Sequence, residues 1–127
     1  MMKLFSVLLF LILLAGCAAP KGNASYRQMN MTDAISLMES EAGYVILDVR
    51  TAEEFQDKHI PGAINIPNES IGTAEIPELP EKDQLILVYC CSGNRSKQAS
   101  EKLAALGYTN IVEFGGINSW PGETVSG

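Results

Sequence analysis

Leu85-Ile86-Leu87-Val88-Tyr89 runs without a break into Cys90-Cys91-Ser92-Gly93-Asn94-Arg95-Ser96. Five apolar or aromatic residues in a row, with no polar alternation, suit a strand buried on both faces, as in a parallel sheet. Beyond the polar turn, Ala99, Leu103 and Leu106 recur at helical spacing, and Gly107 stands where a left-handed residue closes a helix. The stretch therefore reads as strand, tight loop, helix. In parallel α/β folds ligands gather beyond the carboxyl ends of strands, so the loop after Tyr89 is where chemistry is expected.

The same alternation extends in both directions. Downstream, Ile111-Val112-Glu113-Phe114 is a third short strand, followed by Gly115-Gly116 and a last turn containing Trp120. Upstream, Thr32 caps a short helix with Asp33 in its first turn and Ala34, Ile35, Leu37 and Met38 on one face, and Gly43 ends it. Tyr44-Val45-Ile46-Leu47 is another buried strand and leads into Asp48-Val49-Arg50. Thr51-Ala52-Glu53-Glu54-Phe55 opens a second helix with a capping pattern. Pro61-Gly62 and Pro67 bracket a brief strand, Ala63-Ile64-Asn65-Ile66, and residues 68–83 read as an irregular surface segment with one helical turn. Strands alternating with helices define an α/β domain: a mostly parallel central sheet flanked by helices on both faces.

The loop has a specific electrostatic character. The amides of residues 91–96 can turn inward around one point, with Gly93 supplying the positive φ that the curl requires. The next helix aims its positive dipole end at the same point, which makes an anion cradle. A cysteine there is favoured as thiolate, so Cys90 is the candidate nucleophile; the competing reading is a thiol that only packs at the strand end. Arg95 either faces the bound anion or holds the loop by pairing with an acidic residue, and the second role is preferred because amides already form the cradle.

Composition narrows the classes. The 127 residues make one domain at most, and 9 Lys+Arg against 15 Asp+Glu, a net charge of −6, exclude a nucleic-acid surface. Three cysteines, two of them adjacent, do not form a disulfide framework, and a single histidine offers no metal set. That histidine, His59, precedes Ile60-Pro61-Gly62 and is expected to bond a turn. Asp48 and Arg50 point the same way from a strand end and are expected to pin the adjacent turn, with Arg50 pairing to Glu54. Glu75, Glu78, Glu81 and Asp83 read as a solvated acidic loop, and Trp120 as a residue closing the core.

Four segments together resemble the rhodanese family of sulfurtransferases: Leu47-Asp48-Val49-Arg50, the run from His59 through Pro61-Gly62 to Pro67, the loop from Tyr89 to Ser96, and Gly115-Gly116 with Trp120. The resemblance implies a rhodanese-like domain in which Cys90 is catalytic, taking a sulfane sulfur as a persulfide and passing it to cyanide or a thiol. It implies Cys91, Ser92, Gly93, Asn94, Arg95 and Ser96 as the substrate-binding loop, and no cofactor or metal. Arg95 follows Cys90 after four residues, whereas the related cysteine phosphatases leave five, so the turn suits a single sulfur atom better than a phosphoryl group. Cys91 departs from the family pattern, where a basic or polar residue commonly follows the cysteine; this puts anionic thiosulfate in doubt as donor and leaves Cys91 either passive or able to form a strained vicinal disulfide with Cys90. Two other readings stay open: a non-catalytic module that binds a protein or senses sulfur, and a small cysteine phosphatase or arsenate reductase.

The amino terminus carries a separate signal. Residues 4–15 (LFSVLLFLILLA) are uncharged, follow Lys3, and end in Leu14-Ala15-Gly16-Cys17. A charged start, an apolar run and small residues before a cut form a secretion signal. The last four residues resemble the lipobox of bacterial lipoproteins. The expectation is a signal peptide over residues 1–16, a lipid on Cys17, a tether over residues 17–28 and the domain over residues 29–127. The domain is then expected outside the cytoplasm on a bacterial membrane, in the periplasm if the cell is Gram-negative. The expected partners are a small sulfur donor, a thiol or cyanide acceptor and a thiol-redox protein, with no nucleic acid.

Overall fold

β4 (Ile86–Cys90) is buried at every position and lies at the centre of the sheet. The computed structural model describes residues 25–127; the expected signal peptide, the Cys17 lipid site and most of the tether lie outside the described residues. β4 is flanked by β2 (Val45–Asp48) and β5 (Ile111–Gly116), with β3 (Ile64–Asn65) and β1 (Arg27–Gln28) at the edges, in the order β1-β5-β4-β2-β3. Every pairing is parallel. Arg27 and Gln28 fall in the stretch expected to be a tether, yet they pair with Val112 and Glu113. Backbone hydrogen bonding recruits them to the sheet edge, and both are exposed, so no apolar period announces the strand.

The unbroken apolar runs of β2 and β4 follow from burial on two faces. On one face, α3 (Asn94–Ala105) lays Ala99 and Leu103, both fully buried, against Leu47, Ile86, Val88 and Ile111. On the other, α1 (Met31–Ser40) and α2 (Ala52–Asp57) contribute Ala34, Leu37 and Phe55 to a cluster with Ile46, Leu87, Tyr89, Phe114 and Trp120. Truncating Leu103 to alanine would cost about 2–5 kcal/mol as lost burial plus cavity.

α1 begins earlier than its sequence suggests. Asn30, not Thr32, is the cap: its side chain accepts from the Asp33 amide at 2.8 Å, and Thr32 lies inside the helix. α2 has the expected capping box, with Glu54 N–H donating to the Thr51 hydroxyl at 3.2 Å and Thr51 N–H to Glu54 Oε1 at 3.2 Å. Gly107 takes φ 98° just past α3, where only glycine closes the turn without strain. His59 stacks on Phe55 with ring centroids 3.7 Å apart, bonds the Phe55 carbonyl through Nδ1 at 2.8 Å, and bridges to Val125 through its backbone. It builds the turn, as expected.

Candidate active site

The carboxyl end of β4 is Cys90, and the loop that follows curls back over it. The Gly93 amide donates to the Cys90 sulfur at 3.0 Å, and the Ser96 hydroxyl lies 3.4 Å away. Gly93 has φ 113°, a left-handed conformation that any side chain would strain. Cys90 is 1% exposed. Burial opposes its thiolate, but the Ser96 hydroxyl and the amides of Ser96, Gly93 and Ser92 outweigh that penalty, and the thiol falls below its ordinary value. Asn94 opens α3, so the helix dipole is directed at the sulfur.

β5 fits beneath the loop because Gly116 has no side chain. A Cβ there would stand 1.8 Å from the Cys91 carbonyl oxygen. With φ −151° its backbone is ordinary, so the demand for glycine is one of space alone. The Asn118 amide donates to that carbonyl at 3.2 Å and ties the loop to the turn after β5.

Arg95 turns away from the sulfur. Its guanidinium donates to both oxygens of Glu54, at 2.6 and 3.0 Å, and to the Cys91 sulfur at 3.0 Å. The acidic partner expected for Arg95 is thus Glu54, and Arg50 does not pair with it. Arg50 instead grips Asp48, with Nε 3.1 Å from each carboxylate oxygen and a terminal nitrogen at 2.7 Å, and donates to the Lys58 carbonyl at 2.6 Å. The reason is geometric: Asp48 and Arg50 share one side of the chain around Val49, and both are buried. The Arg95 guanidinium holds the Glu54 carboxyl well below the usual carboxylate range.

Cys91 donates its thiol to Glu54 Oε2 at 3.0 Å. Burial, then that carboxylate, push the Cys91 thiol up. The two adjacent cysteines are therefore opposites: Cys90 sits among donors that favour its anion, and Cys91 beside an acceptor that favours its proton.

Two carboxylates belong to this site that sequence reasoning does not place there. Glu54 is legible as a helix cap, a role it also fills, and as a partner for Arg50, but not as a neighbour of the loop. Glu113 reads as part of a strand, although a lone carboxylate in the apolar run Ile111-Val112-Glu113-Phe114 is the available signal. It is 3% exposed and accepts from the Ser96 hydroxyl at 2.6 Å and from the Gly115 amide at 2.8 Å. It also lines a cavity of about 370 Å³ beside the loop, with Gln28, Asn30, Ser92 and Lys97. Among the described residues no group of histidine, cysteine and acidic side chains is arranged to hold a metal ion.

A five-stranded parallel α/β domain whose central strand ends in a buried, amide-bound cysteine describes a thiol-centred anion site. Residues 31–123 match the family model described as the rhodanese-like domain, and the chain belongs to that family. It is similar to the thiosulfate sulfurtransferase PspE of Escherichia coli (strain K12), with 39% identity over 71 residues, 56% of this chain and 68% of that one. It is also similar to the thiosulfate sulfurtransferase GlpE of Pseudomonas savastanoi, with 36% identity over 92 residues, 68% of this chain and 85% of that one. Among solved structures, a rhodanese with anions from E. coli superposes with a TM-score of 0.61 at 36% identity, covering 66% of this chain and 99% of the other.

Proposed function

We propose that the protein is a sulfurtransferase in which Cys90 takes up a sulfane sulfur as a persulfide and passes it to a thiophilic acceptor, cyanide or a thiol. The single observation that carries this reading is the Cys90 sulfur at the focus of inward-pointing amides; relatives named thiosulfate sulfurtransferase support it. The Cys90 thiolate attacks the outer sulfur of the donor, a sulfur–sulfur bond forms, and the leaving group departs with the electron pair of the bond that breaks. The resulting persulfide anion lies in the same ring of amides, which favour its charge as they favoured the thiolate's. The acceptor then attacks the outer sulfur and releases the Cys90 thiolate. Ser92, Gly93, Asn94 and Ser96 form the cradle, Arg95 fixes its shape through Glu54, and no cofactor takes part.

The loop's own cation is paired with Glu54, and the cavity beside the loop offers an anionic donor such as thiosulfate one cation, Lys97, against the carboxylate of Glu113. A small persulfide or a thiol-redox protein fits as donor or reductant on the same ground. Replacing Cys90 by Ser should abolish transfer and leave the fold intact. Incubation with thiosulfate or polysulfide should add the mass of one sulfur atom to Cys90 and lose it to cyanide. An adduct that never transfers would make the protein a sulfur carrier or sensor, and full activity of the serine variant would overturn the reading.

We further infer lipid attachment at Cys17, with the domain held outside the cytoplasm on a bacterial membrane. The apolar run before Leu14-Ala15-Gly16-Cys17 supports this. Mass spectrometry of the protein from its own cells should find a diacylglycerol on Cys17; an unmodified Cys17 would refute the anchor.

A further inference from the structure

Ser96 stands between two groups that both need its single hydroxyl hydrogen. Its oxygen is 3.4 Å from the Cys90 sulfur and 2.6 Å from Glu113 Oε2, with the Gly115 carbonyl a third neighbour at 3.4 Å. A serine hydroxyl donates once and accepts through its lone pairs. When Glu113 is ionised, the short contact takes the hydrogen, and Ser96 faces Cys90 as an acceptor that suits a thiol. When Glu113 carries a proton, Glu113 donates to Ser96 and Ser96 donates to a Cys90 thiolate. All three side chains are buried: Cys90 is 1% exposed, Ser96 0% and Glu113 3%. Two neighbouring anions in such a place are disfavoured, and Ser96 is the hydroxyl that bridges them.

We propose that Glu113 is the positioning residue for sulfur transfer, receiving the Cys90 proton through Ser96 and holding it while Cys90 is thiolate or persulfide. The step balances within the protein: the S–H bond of Cys90 breaks as Ser96 Oγ takes that proton, the original Ser96 proton passes to Glu113 Oε2, and the negative charge moves from carboxylate to sulfur. Both half-reactions then run between anionic forms of Cys90, and the proton on Glu113 need not leave between turnovers. This rests on the sulfurtransferase reading for its purpose, but the proton's location is a property of the resting protein.

The surroundings are consistent with a shared proton. From β5 itself, the Gly115 amide bonds Glu113 and no second carboxylate of the strand competes. From α3, Lys97 lines the same cavity, and Arg95 is paired with Glu54. From β1 and the start of α1 the cavity is lined by the uncharged Gln28, Met29 and Asn30, while Arg27 of β1 is turned to the Asn110 side chain. From β4, the Tyr89 hydroxyl is engaged with the Ile60 amide, and burial keeps it protonated. The Cys91 thiol is turned to Glu54.

Two measurements on the full domain, neither requiring sulfur transfer, test this. In difference infrared spectra at neutral pH, wild type should show a protonated-carboxyl band that is absent in Glu113→Gln and also absent in Cys90→Ser, which has no acid proton to share. The rate of Cys90 alkylation against pH should rise in two steps in wild type. It should collapse to one step in Glu113→Gln, shifted about one pH unit lower, because the neutral amide removes a charge beside the thiolate. Ser96→Ala cuts the relay while leaving Glu113 in place, and should also give one step, shifted upward. A purely structural Glu113 predicts a single alkylation step in wild type as in the glutamine variant, which keeps an acceptor for the Gly115 amide. That result, no carboxyl band in wild type, or a band that survives in Cys90→Ser overturns the proposal. Any of these results with a persulfide still forming on Cys90 would refute the proposal and leave the sulfurtransferase reading standing.

Discussion

Gly116→Ala tests whether the cradle's shape depends on β5 passing directly beneath it. A methyl at this position would lie 1.8 Å from the Cys91 carbonyl oxygen, 2.1 Å from its carbon and 2.5 Å from the Ser92 nitrogen. All three atoms are backbone, so no side chain can rotate aside. Reaching ordinary contact requires a relative shift of about 1.5 Å between strand and loop. The Gly93 amide now sits 3.0 Å from the Cys90 sulfur. A displacement of that size carries the contact beyond hydrogen-bond range. A misplacement of about 1 Å at a reacting centre costs roughly 100-fold in rate, and the overpacking costs about 1–3 kcal/mol of stability. The assay is sulfur transfer to cyanide alongside urea unfolding and the pH dependence of Cys90 alkylation. The expected outcome is a folded protein, less active by about 100-fold, whose Cys90 alkylates only at higher pH than wild type. Wild-type turnover with an unchanged alkylation profile would refute the claim that β5 holds the cradle in shape.

Further outcomes follow from the charged pairs. Asp48→Ala leaves Arg50 buried without a counter-charge, and should lower stability by about 3–5 kcal/mol in urea unfolding; the double replacement by apolar residues should recover much of that loss, and a single-variant cost below about 1 kcal/mol would show that water reaches the guanidinium. Glu54→Gln removes the carboxylate that raises the Cys91 thiol, so in a Cys90→Ser background Cys91 should alkylate several-fold faster at neutral pH, read by peptide mapping. The same pair has an acid-side signature. Because Arg95 depresses the folded Glu54 carboxyl, its contribution is present above the unfolded value of 4.5 and is lost as pH falls toward the folded one. Both side chains are about one-third exposed, at 33% and 28%, so the contribution is at most about 1 kcal/mol. Comparing acid unfolding of wild type and Arg95→Met checks it.

The parts of the fold written in side-chain pattern are legible in the sequence alone. Continuous apolar runs mark β2 and β4, and the spacing of Ala99 and Leu103 marks α3 and its buried face. Elements held by backbone bonding alone are not: β1 is two exposed polar residues whose place in the sheet depends on β5, distant in sequence. The site divides in the same way. Cys90 and its loop are contiguous, so the curl is announced locally by Gly93 and the start of α3, although Gly116 of β5 leaves the room for it. Glu54 and Glu113 reach the loop from α2 and β5, and only the packed sheet decides which carboxylate meets which partner. The expected Arg50–Glu54 pair fails for this reason: proximity in sequence suggests it, while burial gives Arg50 to Asp48 and leaves Glu54 for Arg95.

Because all strands run the same way, the domain has a top and a bottom. Cys90 lies at the top, while the chain enters β1 from below, at Tyr26 and Arg27. A protein hung from its amino-terminal side therefore presents the sulfur-bearing end outward, away from whatever surface holds it. Large donors and acceptors can approach that end without passing between the domain and its support, and lengthening the segment before Tyr26 should leave their access unchanged.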